Sequence, residues 1–395
     1  MVYLHLIAER DAKIKHFDVE RNHLAVFSKC YIEQLVWYYR QYVDKLAVTL
    51  PESHGEIGEA IERDDDAVIV NGVRDADVSY ERDVIVGSGA VIFDVNKLTE
   101  NDLEAQAELY FYKKTLVAVV LSADARHALI KIDARVTNYQ LSLDELADLV
   151  LTKLFNVDHC WLDKKSVIRI IKPKHIAKFM QKLKRLKIKQ LGKAGVLVVD
   201  AATTWIEPSV KIGKGTVVKP GSILSGDCSV GERCIIGPAA RIENSIIADA
   251  VSIKDSTIIE SFVDSETTVG PYAYLRPKSD IGKNVKIGDF VEVKNARIDN
   301  GAKVSHLSYI GDGFVGKNVN VGCGTVFVNY DGYKKFRTVV EDNCFIGCNS
   351  NLVAPVTVKA GAYVAAGSTI TDDVIGNSLA IARARQVVKP DWQKK

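Results

Sequence analysis

From residue 206 onward an apolar side chain returns every six residues. Ile206, Ile212, Val218, Leu224, Val230, Ile236 and Ile242 keep one register. Ile247, Ile253 and Ile259 continue it after a slip of one, and Val263, Val269, Leu275, Ile281, Ile287 and Val293 form a third run. Ile298, Val304 and Ile310 follow, then Val315, Val321 and Phe327, and Val340, Ile346, Leu352, Val358, Val364 and Ile370 close the series. Glycine often comes next, as in Ile212-Gly213, Val230-Gly231, Ile287-Gly288 and Ile346-Gly347.

A period of six suits neither an α-helix nor a plain amphipathic strand. It suits a solenoid whose hexads each make one short strand and one corner, with the apolar residue inward. Three hexads close a triangular coil, so inward residues stack on equivalents about 18 residues later. Each coil can bury its core only against its neighbours. The expected architecture is a left-handed parallel β-helix of hexapeptide repeats over 193–395, C-terminal tail included.

Residues 1–170 lack the repeat. LVAVVL (116–121) and AVIV (67–70) read as buried strands, 27–46 as an amphipathic helix, and 141–155 as a second helix with Ser142 and Glu145 placed as a capping box. Strands alternating with helices predict an α/β domain. Residues 171–192 hold a basic, acid-free segment with Ile176, Phe179, Leu183 and Leu186 on one face, expected to be a connector helix. The net charge of +2 gives no reason to expect nucleic acid or a membrane as partner. The N-terminus meets charged residues too early for a signal peptide. The seven cysteines are odd in number and contain no C-x-x-C pair. Reduced thiols in a cytoplasm, and no structural metal, are the expectation.

The repeat breaks once, at NYDGYKK, and resumes at Val340. Polar chemistry gathers around that break. Arg276 and Lys294 are 18 residues apart. That is one coil, so they can stack and converge on a phosphate, Arg as a fork and Lys as a point charge. His306, the only histidine of the last 200 residues, follows near Tyr309, Asn320, Asn329, Tyr330 and Lys335. A histidine can take a proton at neutral pH.

YLRPKSDIG, FVEVKNARI, SHLSYIGD, GKNVNVGCGT, NYDGYKKFRT and LVAPVTV resemble the acetyltransferase domain of one bacterial family. It is the bifunctional N-acetylglucosamine-1-phosphate uridyltransferase/glucosamine-1-phosphate N-acetyltransferase family of UDP-N-acetylglucosamine biosynthesis. The resemblance runs from about residue 193 to Trp392. It implies sugar-phosphate contacts at Arg276, Lys294, Tyr309, Asn320 and Lys335, and a general base at His306. It implies acetyl-CoA contacts at Cys323, Cys348, Ala366, Arg383 and Trp392, with Asn329 and Tyr330 bordering the acetyl group. It implies no metal for acetyl transfer, and a homotrimer whose sites lie between solenoids. Two departures stand out. Cys323 and Cys348 replace small or hydroxylated residues, and Asp372 replaces a basic residue late in the last coil.

The first half departs further. The family opens with a strand and a glycine-rich loop that cradles nucleotide phosphates. Here VYLHLIA runs into Glu9, Arg10 and Asp11, no glycine precedes Gly55, and Val73 stands where a metal-binding Asp is expected, with Asp75 two residues on. The segments 66–72 and 88–98 resemble a sugar-nucleotidyltransferase fold, so residues 1–170 read as a shortened, degenerate version. The function expected is acetyl-CoA-dependent N-acetylation of glucosamine-1-phosphate. The alternatives are acetylation of another amino sugar phosphate such as galactosamine-1-phosphate, retained uridylyltransferase activity, and an inactive scaffold or regulator.

Overall fold

The computed structural model describes residues 173–390 and Trp392, together with 106–112, 115–133, Leu141, 143–161 and 167–169, and the backbone of seven short strands before residue 106. Two compact units divide at Leu183/Lys184.

In the first unit a seven-stranded sheet runs in the order Val157–Trp161, Ala107–Tyr112, Thr115–Ser122, Arg82–Gly87, Val2–Ile7, Lys45–Thr49, Val68–Ile69. Val2–Ile7 pairs parallel with both its neighbours, while Thr115–Ser122 is antiparallel on both sides. Helix α1, Ala123–Ile132, starts at Ser122, whose hydroxyl accepts from Ala125 N at 3.2 Å. Helix α2, Leu143–Lys153, buries Leu143, Leu146, Ala147 and Val150, one helical stripe, in a core with Leu109, Val119 and Leu121. Ser142, half of the expected capping box, lies outside the described residues. So do Glu9, Arg10, Asp11, Gly55, Val73 and Asp75. The helix expected over 27–46 falls mostly outside them too. Its described ends, Lys29–Cys30 and Lys45–Leu46, are strand rather than helix. Apolar residues at helical spacing there also satisfy short β pairings, and period alone does not separate the two.

The second unit is a parallel β-solenoid with three faces of 11, 10 and 9 strands. Every third strand joins the same face, as hexad periodicity requires. Strands such as Lys303–His306, Tyr309–Gly311 and Gly313–Val315 occupy the first, second and third faces in turn. The inward residues form one continuous core from Leu191 to Val374. Burying each Val, Leu or Ile contributes about 1.5–3 kcal/mol. One inward position differs from the expected register. Ile258, not Ile259, is fully buried and pairs with Ile242 and Leu275. Steps of five therefore occur on both sides of it, Ile253 to Ile258 and Ile258 to Val263. Each is taken up at a tight corner where Asp255 and Glu260 adopt positive φ.

Helix α3, Pro173–Lys193, covers the basic segment and runs into the second unit. There Leu191 joins the solenoid core. Lys184 and Lys187 are buried, and their ammonium groups donate to the carbonyls of Ala202 at 2.7 Å and Pro208 at 2.8 Å. Lys184 also lies 4.5 Å from the Trp205 ring. The first coil thus meets donors and an apolar lid. Burial lowers the Lys184 pKa, and Asp200 opposes that shift.

The break at NYDGYKK is a hairpin-like excursion. Tyr330 and Lys335 pair antiparallel, and Phe336 N donates to Asn329 O at 2.9 Å. Below it the ladder closes again, with Phe327 opposite Leu352, 25 residues on instead of about 18.

Candidate active site

His306 ends its strand at the corner between the first and second faces. Asp289 is its neighbour on the preceding coil, and His306 Nδ1 lies 2.5 Å from Asp289 Oδ1. The bond to His306 holds the Asp289 carboxyl below its usual range, so Asp289 is a carboxylate at neutral pH. On later coils Val304 pairs Val321, Val321 pairs Ile346 and Ile346 pairs Val364. Two residues beyond each pair stand His306, Cys323, Cys348 and Ala366, which form one column along the corner. Backbone bonds hold it: Asn349 N donates to Cys323 O at 2.7 Å and Gly367 N to Cys348 O at 2.8 Å. Gly347 is required here, since a Cβ would collide with Ala366 N on the next coil. Arg383 lies over Gly367 at the end of the column. Cys348 and Arg383 are exposed and Cys323 half-buried. Trp392, in the tail, is 79% exposed, with Lys389 5.6 Å from its ring.

The second cluster lies over the second face and its far corner. Arg276 and Lys294 are neighbours there, as Leu275 pairs Val293 and Arg276 N donates to Val293 O at 2.8 Å. The guanidinium bends back over that face, 2.6 Å from Glu292 Oε1 and 5.9 Å from the Tyr274 ring. Tyr309 follows Tyr274 and Glu292 in the same outward column. Its hydroxyl rests where a Cβ at Gly311 would be. The excursion delivers Lys335 to Lys294. Lys335, and behind it Arg276, pulls Lys294 below the ordinary ammonium range, while the bond to Lys294 and the Asp312 carboxylate raise Lys335. Three basic side chains thus meet two carboxylates, Glu292 and Asp312, and a phosphate arriving among them would favour the charged form of each base.

Asp312 fixes the root of the excursion. Its two oxygens accept from Asn295 Nδ2 at 2.6 Å and from Asn329 Nδ2 at 2.5 Å. Asn329 is therefore buried and turned inward, whereas Tyr330 is exposed and donates to Gly332 O at 2.6 Å.

The structure sorts the sequence-derived candidates into two groups. His306, Cys323, Cys348, Ala366 and Arg383 share one corner. Arg276, Lys294, Tyr309, Lys335 and Asn329 gather over the second face and its far corner. About 15 Å of strand separates the corners at the usual rise per residue, and Arg276 turns its guanidinium to Glu292 on the face between them. Asn320 joins neither group: it lies on the first face between Lys303 and Phe345. Sequence reasoning missed Asp289, Glu292 and Asp312. Subtracting one coil from His306, Tyr309 and Asn329 points to all three, because each pair is 17 residues apart. Among the described residues no group of three or more His, Cys, Asp or Glu side chains is placed to hold a metal ion, and no helix is long and apolar enough to cross a membrane.

The family described as bacterial transferase hexapeptide (six repeats) matches residues 209–244 and 337–372. The chain is similar to bifunctional protein GlmU of Clostridioides difficile (strain 630), with 61% identity over 201 residues, 51% of this chain and 44% of that one. It is also similar to bifunctional protein GlmU of Alkaliphilus metalliredigens (strain QYMF), with 50% identity over 227 residues, 58% and 50% of the two chains. The chain spans about half the length of these relatives. A solved UDP-N-acetylglucosamine acyltransferase from Francisella novicida covers 47% of this chain and 67% of its own at 14% identity and a TM-score of 0.31, too distant to bear on the site. The hexapeptide solenoid that forms the C-terminal half of this chain is thus the part that is similar to bifunctional protein GlmU.

Proposed function

We propose that the solenoid transfers an acetyl group from acetyl-CoA to the amine of glucosamine-1-phosphate. The observation that carries this reading is the division of labour across one face: a cationic cluster at one end and a carboxylate-paired histidine at the other. The segment that carries both groups is the one similar to GlmU. Arg276, Lys294 and Lys335 bind the phosphate, and Tyr309 lines the face between them and His306. An amino sugar enters as an ammonium ion and cannot attack a thioester until it loses a proton. His306 Nε2 takes that proton. The amine nitrogen then bonds to the acetyl carbon, the carbon–sulfur bond breaks, the second nitrogen proton goes to the departing CoA sulfur, and His306 returns its proton to solvent. Holding amine and thioester together removes the entropic cost of a two-body encounter.

Cys323, Cys348 and Ala366 offer the acyl donor a smooth backbone edge, with Arg383 at its end to meet CoA phosphates. Asp372 adds a negative charge near that end and weakens the hold there. Acyl-donor contacts from Tyr330 and Trp392 require a second chain to cover these exposed side chains. A homotrimer supplies one, and the exposed, stacked pair Phe345–Tyr363, ring centroids 4.3 Å apart, offers it an apolar surface. Residues 1–170 act as a degenerate nucleotidyltransferase-like domain followed by a connector.

The test is acetyl transfer followed by release of CoA thiol, run with glucosamine-1-phosphate, galactosamine-1-phosphate and unphosphorylated glucosamine. Turnover with glucosamine-1-phosphate well above the other two is expected. Equal turnover of the two epimers removes the substrate assignment, and no thiol release with any of them removes the enzyme reading.

A further inference from the structure

We infer that Asp289 is the positioning residue that sets the tautomer and the orientation of His306. The inference rests on the acetyl-transfer reading for its kinetic consequence, and on geometry alone for the pairing itself. Asp289 and His306 are partners on adjacent strands of one face, so the ladder itself brings their side chains out on the same side. Their polar atoms meet at 2.5 Å. Gly288 has no room for a Cβ against the Ser305 backbone, which keeps the two strands in this close register. An ionised carboxylate only accepts hydrogen bonds, so the shared proton belongs to the histidine. In the neutral ring Nδ1 then carries the hydrogen and Nε2 the free lone pair. That is the state a base needs before it meets an ammonium ion.

The same bond fixes the orientation of the ring at the corner. Other groups near the pair are few. Lys286, on the strand of Asp289, favours the carboxylate. Cys323 is the neighbour on the following coil, and Lys303 lies on the strand of His306. Glu292, the other carboxylate nearby in sequence, is turned to Arg276. Asp289 is therefore the anion that the fold assigns to the ring.

The test uses the full chain with Asp289→Asn and Asp289→Ala. Asparagine keeps the shape and removes the charge. Expected for Asn is a fall in kcat of about tenfold or more, with KM for both substrates within about twofold. A purely structural role would not separate kcat from KM in this way. A second measurement does not depend on turnover. With ¹⁵N-labelled histidine, and the His306 signals identified by their loss in His306→Gln, the wild type should show the Nδ1–H tautomer and Asp289→Ala a shift towards Nε2–H. An unchanged tautomer in Asp289→Ala overturns the inference. If the wild type transfers no acetyl group, the functional reading fails by itself, and the nitrogen shifts still decide whether Asp289 holds the ring.

Discussion

At the scale of single residues the two clusters make separable predictions. His306→Ala should lower kcat about 10²-fold or more while the assembly stays intact, the usual weight of a positioned base. Near-normal turnover at neutral pH would show that another group takes the proton. Arg276→Ala and Lys294→Ala should raise KM for the sugar phosphate and leave KM for acetyl-CoA unchanged, because both side chains sit at the far corner from Cys323, Cys348 and Arg383. A loss confined to acetyl-CoA would place them at the wrong substrate. Most of these residues were legible in the sequence, since histidine beside polar groups and cations one coil apart announce chemistry by type and spacing. Asp289 and Asp312 were not. A carboxylate on a solenoid corner looks like any solvated surface charge. Its role appears only when the strand above shows what it faces, Nδ1 of His306 in one case and the amide of Asn329 in the other.

At the scale of elements the excursion between Val328 and Thr338 is the irregular part of an otherwise repetitive chain. Its tip is closed by Asp331, whose carboxylate accepts from Tyr333 N at 2.7 Å and Lys334 N at 2.6 Å. Those donors hold the Asp331 pKa below the ordinary carboxylate value. The folded pKa is the lower one, so the bonds support the turn above the ordinary carboxylate range and are lost as pH falls through the lower folded value. Amide exchange at Tyr333 and Lys334 should therefore speed up in acid relative to Val339, on the adjoining strand. In Asp331→Ala it should already be fast at neutral pH, and equal protection in variant and wild type would show that the turn closes without the carboxylate. The break was plain in the sequence as a missing beat. Its internal pairing of Tyr330 with Lys335 was not, because a seven-residue polar loop has no periodicity to read. The misassigned Ile259 has a related cause. Two adjacent isoleucines satisfy the pattern equally, and only pairing with Ile242 and Leu275 selects Ile258.

For the whole molecule, the division at Leu183/Lys184 places the last turns of helix α3 with the solenoid. A fragment of residues 173–395 should accordingly fold and keep acetyl transfer. A fragment starting at residue 193 loses Leu191, Lys184 and Lys187 from the first coil and should unfold at lower denaturant. The lost burial of Leu191 alone is worth about 1.5–3 kcal/mol. Equal midpoints for the two fragments would show that the first coil needs no cover. The full chain with N-acetylglucosamine-1-phosphate, UTP and Mg²⁺ should release no pyrophosphate above the no-enzyme blank. Phosphoryl-type transfer depends on backbone donors and a metal, and Glu9, Arg10, Asp11 and Val73 stand where the family has its glycines and its metal-binding Asp. Pyrophosphate release abolished by Asp75→Ala would restore that activity to the first unit. The closed ladder beneath the excursion has one more consequence. Because Phe327 meets Leu352 as if nothing lay between them, the length and content of the insert are mechanically decoupled from the stack. Such a segment can be exchanged like an interchangeable tool head: grafted, lengthened or recoded for another sugar, while the shaft that carries it folds unchanged.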